Sequence, residues 1–305
     1  MSGEPSIGGL KIAVLMGGPG TEREVSLRSG VAVAGALRAC GADVLEVDVK
    51  GPDFRLPDDT ELACNMIHGT FGEDGQIQQI LEDRGIAYTG EGVEGSRIAF
   101  DKILSKERFA AVGLPTAKWE VLRVNDPCSF PPPCVVKAPL QGSSVGVHIV
   151  RDQAGLTSAL TDCFQFGDQV LVEEFFVGRE LTVGILGGEA LPIVEIVPHE
   201  GFYDYEHKYT KGASDYFVPA AIGAELTGTI QEASLAAHRA LGLEIYSRVD
   251  LLLAPDGRLN IMEINTIPGM TETSLLPKAA AVVGMDFPAL CARIATISLQ
   301  RSKNK

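Results

Sequence analysis

Residues 246–265 read YSRVDLLLAPDGRLNIMEIN, two runs of strand-forming residues around the turn signal Pro-Asp-Gly. Aliphatic and β-branched side chains on both sides of such a turn are the pattern of an antiparallel hairpin. If the loop runs from Pro255 to Arg258, Ala254 pairs with Leu259. Asp250 then lies opposite Glu263 and Arg248 opposite Asn265, and the period of two puts all four side chains on one face. Facing carboxylates repel unless a cation separates them. Two acids and an amide offer only oxygen, which suits a hard ion such as Mg²⁺ that also meets phosphates. Arg248, on the same face, is placed to hold an anion. The plain alternative is a solvated polar face, and the rest of the chain decides between them.

Upstream, strand and helix patterns alternate. An apolar run at 10–16 is followed by GGPGTEREVS and a helical pattern at about 25–40. A second strand pattern lies near 43–47, then NMIHGTFGEDG, a helix at about 74–83 and a short strand at 85–88. This alternation predicts a mostly parallel α/β unit spanning 1–91, with 1–9 as a mobile tail. One helix from 96 to about 112 leads into a central α+β unit, 92–174, with strands at 134–138, 147–150 and 170–174. A C-terminal α+β unit, 175–305, carries strands near 180–186 and 191–197, a helix at about 224–241, the hairpin and a terminal helix from Phe287. The stretch 201–217 is aromatic and lacks periodicity, which reads as a functional loop and not a linker.

The whole chain is acidic, with a net charge of −14 over 305 residues. Nucleic acid and anionic membrane are therefore poor partners, since neither would attract it at long range. No signal segment or membrane-length apolar run is visible, and the six cysteines form no C-x-x-C pair. A cytoplasmic protein is expected. In so acidic a chain, lysines beside a glycine loop gain weight as anion-binding groups. Lys137 ends a strand and precedes Gly142, Ser143, Ser144 and Gly146, small residues that offer N–H and hydroxyl groups to phosphates. In VLVEEFFVGRE (170–180), the backbone at Glu174 and Phe176 is a candidate adenine reader and Glu180 a ribose acceptor. No Walker-type G-x-x-x-x-G-K-[ST] occurs. Gly90, Gly92 and Gly95 do satisfy G-x-G-x-x-G, but a helix follows where a dinucleotide site needs a second strand ending in an acid. A nicotinamide oxidoreductase is thus the weaker competing class.

Taken together, EREVS at 22–26, HGTFGEDG at 68–75, DK at 101–102, GSSVG at 142–146, FYDYEHKY at 202–209, RVD at 248–250 and EINTIPGMT at 263–271 resemble the D-alanine–D-alanine ligases of the ATP-grasp superfamily. The match in order and spacing covers nearly the whole chain after the tail. The resemblance implies an ATP-grasp fold whose central and C-terminal units enclose the nucleotide. It implies ligation of two D-alanines through a D-alanyl phosphate for peptidoglycan precursor synthesis, with ATP as co-substrate and two Mg²⁺ ions, or Mn²⁺ in their place. A homodimer is the implied assembly.

By the same resemblance, Glu22 orients the first D-alanine in a network with Ser143 and Tyr209, and His68 lies beside that substrate. Lys102, Lys137, Ser144 and Lys208 meet ATP phosphates, while Glu173, Glu174, Phe176 and Glu180 surround adenosine. Asp250, Glu263 and Asn265 hold the metal; Arg248, the backbone of Gly269, Ser274 and Leu275 receive the second D-alanine and the tetrahedral intermediate. The stretch 201–217 is expected to close as a lid. Tyr209 favours an amine acceptor, with another ATP-grasp acid–amine or depsipeptide ligase as the alternative.

Overall fold

The computed structural model describes residues 7–143, 145–199 and 214–304. Strand β1 (Lys11–Gly17) is buried along almost its whole length and lies between β2 (Asp43–Val49) and β3 (Leu62–Asn65), parallel to both. Near-continuous apolar sequence is what a central parallel strand covered on both faces requires. Helix α1 (Arg23–Ala39) packs on this sheet so closely that a Cβ on Gly30 would lie 2.5 Å from the Cβ of Met16. Helix α2 (Gln76–Asp83) covers the other face, where Leu15, Ile67, Ile77 and Leu81 form one core.

Several boundaries differ from expectation, each for a local reason. Residues 7–9 are not tail: Ile7 is buried in the core and Gly9 N–H donates to the Gly41 carbonyl. Residues 85–88 form no strand; Tyr88 makes one isolated bridge to Ala63. The single helix expected at 96–112 is two, α3 (Val93–Phe100) and α4 (Lys102–Ala111). Asp101 breaks it by taking an extended conformation and accepting the N–H groups of Ile103 and Leu104, so a strong N-cap overrides continuous helical periodicity.

The second sheet is antiparallel, in the order β4 (Trp119–Leu122), β7 (Val170–Glu174), β5 (Cys134–Lys137), β6 (Val147–Val150), with helix α5 (Gln153–Cys163) on one face. The third contains β8 (Arg179–Leu186), β9 (Glu189–Ala190), β10 (Val194–Pro198), β11 (Ser214–Phe217), β12 (Tyr246–Leu253) and β13 (Leu259–Asn265), ordered β11-β10-β8-β12-β13 with β9 on β8. The last four residues of the expected loop 201–217 are therefore strand; residues 201–213 lie outside the described residues. Helices α6 (Ala224–Ala240), α7 (Leu275–Val282) and α8 (Phe287–Asn304) complete the chain. One core joins Met16 and Leu37 of the first unit to Tyr246, Ile267, Leu290 and Ile294 of the last.

Candidate active site

The hairpin pairs Arg248 with Asn265 and Asp250 with Glu263, as its sequence predicts, by a route the sequence pattern did not reveal. Near the turn the register is one residue different: Leu253, not Ala254, faces Leu259. A β-bulge between Asp250 and Leu251 on one side and Ile261 and Glu263 on the other absorbs the offset at Met262. The bulge switches parity along β13. Asn260 and Met262 line a cleft on the near side, and Glu263 and Asn265 line the same cleft beyond it. An apolar side chain and a carboxylate thus become neighbours on one wall.

Asp250 Oδ1 accepts from Thr182 Oγ1 at 2.6 Å and Arg248 Nε at 2.8 Å; its Oδ2 accepts from Arg248 Nη2 at 2.6 Å and Asn265 Nδ2 at 2.9 Å. Lys102 Nζ lies 3.8 Å from Glu263 Oε2. The two facing acids are each supplied with positive charge from a neighbour, which offsets their repulsion. The donor set fits a hard divalent ion: two carboxylates and an amide on one face, with no sulfur or imidazole. Asp250, Glu263 and Asn265 would hold such an ion, and Arg248 brings a guanidinium to the same cleft.

Opposite the hairpin, α4 and the second sheet deliver lysines. Lys102 Nζ donates to the Gln141 carbonyl at 2.6 Å, so the helix start and the glycine loop are tied together. Lys137 Nζ lies 2.7 Å from Glu173 Oε2, and Lys106 Nζ 3.0 Å from Glu173 Oε1. Burial pushes the Glu173 carboxyl up, but Lys137 and Lys106 together outweigh it and hold it below the ordinary value. Lys106 itself is buried, and that burial draws its ammonium below the ordinary lysine range against the pull of Glu173. The sequence reading did not single out Lys106. Its only signal was position, one helical turn after Lys102 on the same helix.

From the first unit, Glu22 accepts a hydrogen bond from the Ser143 hydroxyl, closing the glycine loop onto the start of α1. A Cβ on Gly142 would meet Glu22 Oε2 at 2.6 Å, so a side chain there would push the Glu22 carboxylate from its place. His68 Nδ1 lies 2.8 Å from the Ile267 carbonyl and Nε2 3.1 Å from Ser29 Oγ. A carbonyl can only accept, so Nδ1 is the donor there, and the ring bridges α1 to the loop after β13. Ser274 Oγ accepts from Thr271 N–H at 3.1 Å, beside Gly269.

All the described residues proposed from sequence line one cleft of about 450 Å³: Glu22, His68, Lys102, Lys137, Ser143, Glu173, Glu174, Phe176, Glu180, Arg248, Asp250, Glu263, Asn265, Gly269, Ser274 and Leu275. Ser144, Lys208 and Tyr209 lie outside the described residues. Arg28, Ser29, Glu73 and Met262 also line the cleft and were not foreseen. Ser29 follows Glu22 by about two helical turns, a spacing that puts the two on one face, and Arg28 is its neighbour in the chain.

Comparison with known proteins shows the family and the fold. A family model described as D-ala D-ala ligase C-terminus matches residues 109–296. The D-alanine–D-alanine ligase of Methylacidiphilum infernorum is 49% identical over 292 residues, covering 96% of each chain. That of Desulforudis audaxviator is 44% identical, covering 95% of this chain and 99% of the relative. The crystal structure of the Bacillus anthracis ligase complexed with ATP aligns with a TM-score of 0.86 at 34% identity, over 97% of this chain and 99% of that one. With nearly full-length relatives on both counts, this chain belongs to the D-alanine–D-alanine ligase family and has the ATP-grasp fold.

Proposed function

We infer that this protein joins two D-alanines into D-alanyl-D-alanine at the expense of ATP, supplying a peptidoglycan precursor. The observation that carries the reading is the meeting of three elements in one cleft: the Glu22–Ser143 pair, the lysines beside the glycine loop, and the Arg248–Asp250–Glu263 face. A carboxylate resists attack by an amine until its oxygen becomes a leaving group. Transfer of the γ-phosphoryl group to the first D-alanine makes an acyl phosphate, and that step needs alignment and charge neutralisation more than covalent help. Lys102 and Lys137 supply positive charge to the phosphates, while Glu22 holds the first substrate's ammonium.

Asp250, Glu263 and Asn265 would hold Mg²⁺, with two ions or Mn²⁺ as the proposed complement; a divalent ion there shields the transferring phosphoryl oxygens. Arg248 and the Gly269 N–H receive the oxyanion that develops when the second amine attacks, and phosphate leaves. Ser274 and Leu275 seat the second substrate. The sheets at 11–65, 119–174 and 179–265 support a division into three units near 91 and 174. A homodimeric, cytoplasmic enzyme goes with this reading. Among the described residues no single helix is long and apolar enough to cross a membrane.

The decisive assay measures phosphate release. It should require both Mg-ATP and D-alanine, and the product should have the mass of the dipeptide. Equal turnover with L-alanine would overturn the reading; preference for a D-hydroxy acid as acceptor would move it to a depsipeptide ligase.

A further inference from the structure

The segment GEGVEG (90–95), a dinucleotide motif in appearance, has another employment. Glu91 is buried, and its carboxylate collects three consecutive backbone donors. Glu244 N–H reaches Oε2 at 2.7 Å, and Ile245 and Tyr246 N–H reach Oε1 at 2.9 and 2.8 Å. The glycines around it serve the same junction. A Cβ on Gly95 would meet Leu243 Cδ2 at 3.0 Å and the Gly242 carbonyl at 3.3 Å, so the backbone at 95 lies close against the backbone of Gly242 and the side chain of Leu243. The Gly90 carbonyl accepts from Arg301 Nη1 at 2.5 Å, and a Cβ on Gly90 would lie 3.6 Å from the Tyr246 ring. Glu91 is in turn anchored to the first sheet, because Thr89 N–H donates to the Ala63 carbonyl at 2.9 Å and Thr89 Oγ1 accepts from Asn65 N–H at 3.1 Å.

A continuous path therefore runs from β3, which leads to His68, through Glu91 to the first residue of β12. Two residues further on stands Arg248, and two beyond that Asp250. Burying a carboxylate is costly, and a helix start or turn would meet the same geometric need with a neutral residue. What the charge adds is directional hold on three adjacent N–H groups, a tighter grip than neutral acceptors give.

We propose that Glu91 is a positioning residue for the ligase reaction: its carboxylate clasps Glu244–Tyr246 and thereby fixes where β12 presents Arg248 and Asp250 to the half of the cleft that carries Glu22 and His68. The proposal rests on the ligase reading given above. It separates the two D-alanine positions by a fixed span, so its loss acts on their joining and not on nucleotide capture by the second sheet.

Glu91→Gln tests it in the full-length enzyme. The amide keeps an oxygen for Ile245 and Tyr246 but sets its own N–H against that of Glu244. kcat/KM for D-alanine should fall roughly tenfold or more, as displacement of a reacting group by a fraction of an ångström does, while KM for ATP stays within about twofold. Amide hydrogen exchange at 244–250 should quicken. Glu91→Asp keeps the charge with a shorter reach and should fall between the two, and it decides the matter if the Gln variant does not fold. A lowered melting temperature with unchanged D-alanine kinetics would make Glu91 merely structural and overturn the proposal. An equal rise in both KM values would overturn it too. If the wild type itself releases no phosphate with D-alanine and Mg-ATP, the ligase reading fails, and the positioning role falls with it.

Discussion

Lys106 and Glu91 are both charged side chains hidden from water, and their environments have opposite consequences for pH. Lys106 Nζ is held by Glu173, by Thr116 Oγ1 at 2.7 Å and by the Ala117 carbonyl at 3.2 Å. Removing the ammonium leaves Glu173 buried with a single cation. Lys106→Met is therefore expected to cost up to about 3 kcal/mol, read by urea denaturation, less than the full cost of stranding a buried charge because Lys137 still pairs with Glu173. Because the Glu173 carboxyl is held below its ordinary value, its pairing stabilises the fold above the unfolded carboxyl range and is lost as pH falls through the folded value. Glu91 has the other sign. Burial raises its carboxyl to about 7, against the pull of the three N–H groups and Arg301, so the native state takes up a proton that the unfolded chain does not hold. Stability from Glu91 is then present at acid pH and declines as pH rises towards 7. The melting temperature of the wild type relative to Glu91→Gln should fall between pH 5 and pH 7.5 and level off above; a pH-independent difference would refute the burial account.

At the scale of elements, local pattern told most where partners are close in sequence. The α/β alternation, the strands at 147–150 and 170–174 and the facing pairs of the hairpin follow from period and turn chemistry. The bulge at Met262 was hidden because alternation gives parity but not an extra residue, and the pairing at the site holds only because bulge and turn offset cancel. The break at Asp101 was equally hidden within a helical period. It matters to the site, since the capped α4 begins at Lys102 and aims that lysine at the Gln141 carbonyl and Glu263. Asp101→Ala should lower stability by about 0.5–2 kcal/mol, the usual cost of losing an N-cap, and raise KM for ATP; Asp101→Asn should retain most of both. Unchanged ATP kinetics in the alanine variant would detach the cap from the placement of Lys102.

Across the whole molecule, the cleft is walled by α1 and the loop at 68–73 from the first unit and by the second and third sheets, and the residues that tie these parts together are the ones sequence reading could not find. Glu91 meets partners more than 150 positions away, and Lys106 reaches Glu173 across the second sheet. Such contacts leave no periodic trace. The site residues were legible because their motifs are short and local in sequence. A cleft assembled in this way predicts that ligands stabilise the fold by bridging units. A non-hydrolysable ATP analogue with Mg²⁺ at about 100 times its dissociation constant should add about 2.7 kcal/mol, seen as a rise of several degrees in melting temperature. Chelating the metal should remove part of that rise, because Asp250 and Glu263 would then face the phosphates as uncompensated acids. In Glu263→Gln the increment due to Mg²⁺ should shrink while that from the nucleotide alone persists. If the variant keeps the full metal-dependent increment, the ion binds elsewhere, and the hairpin face serves Lys102 and Arg248 without it.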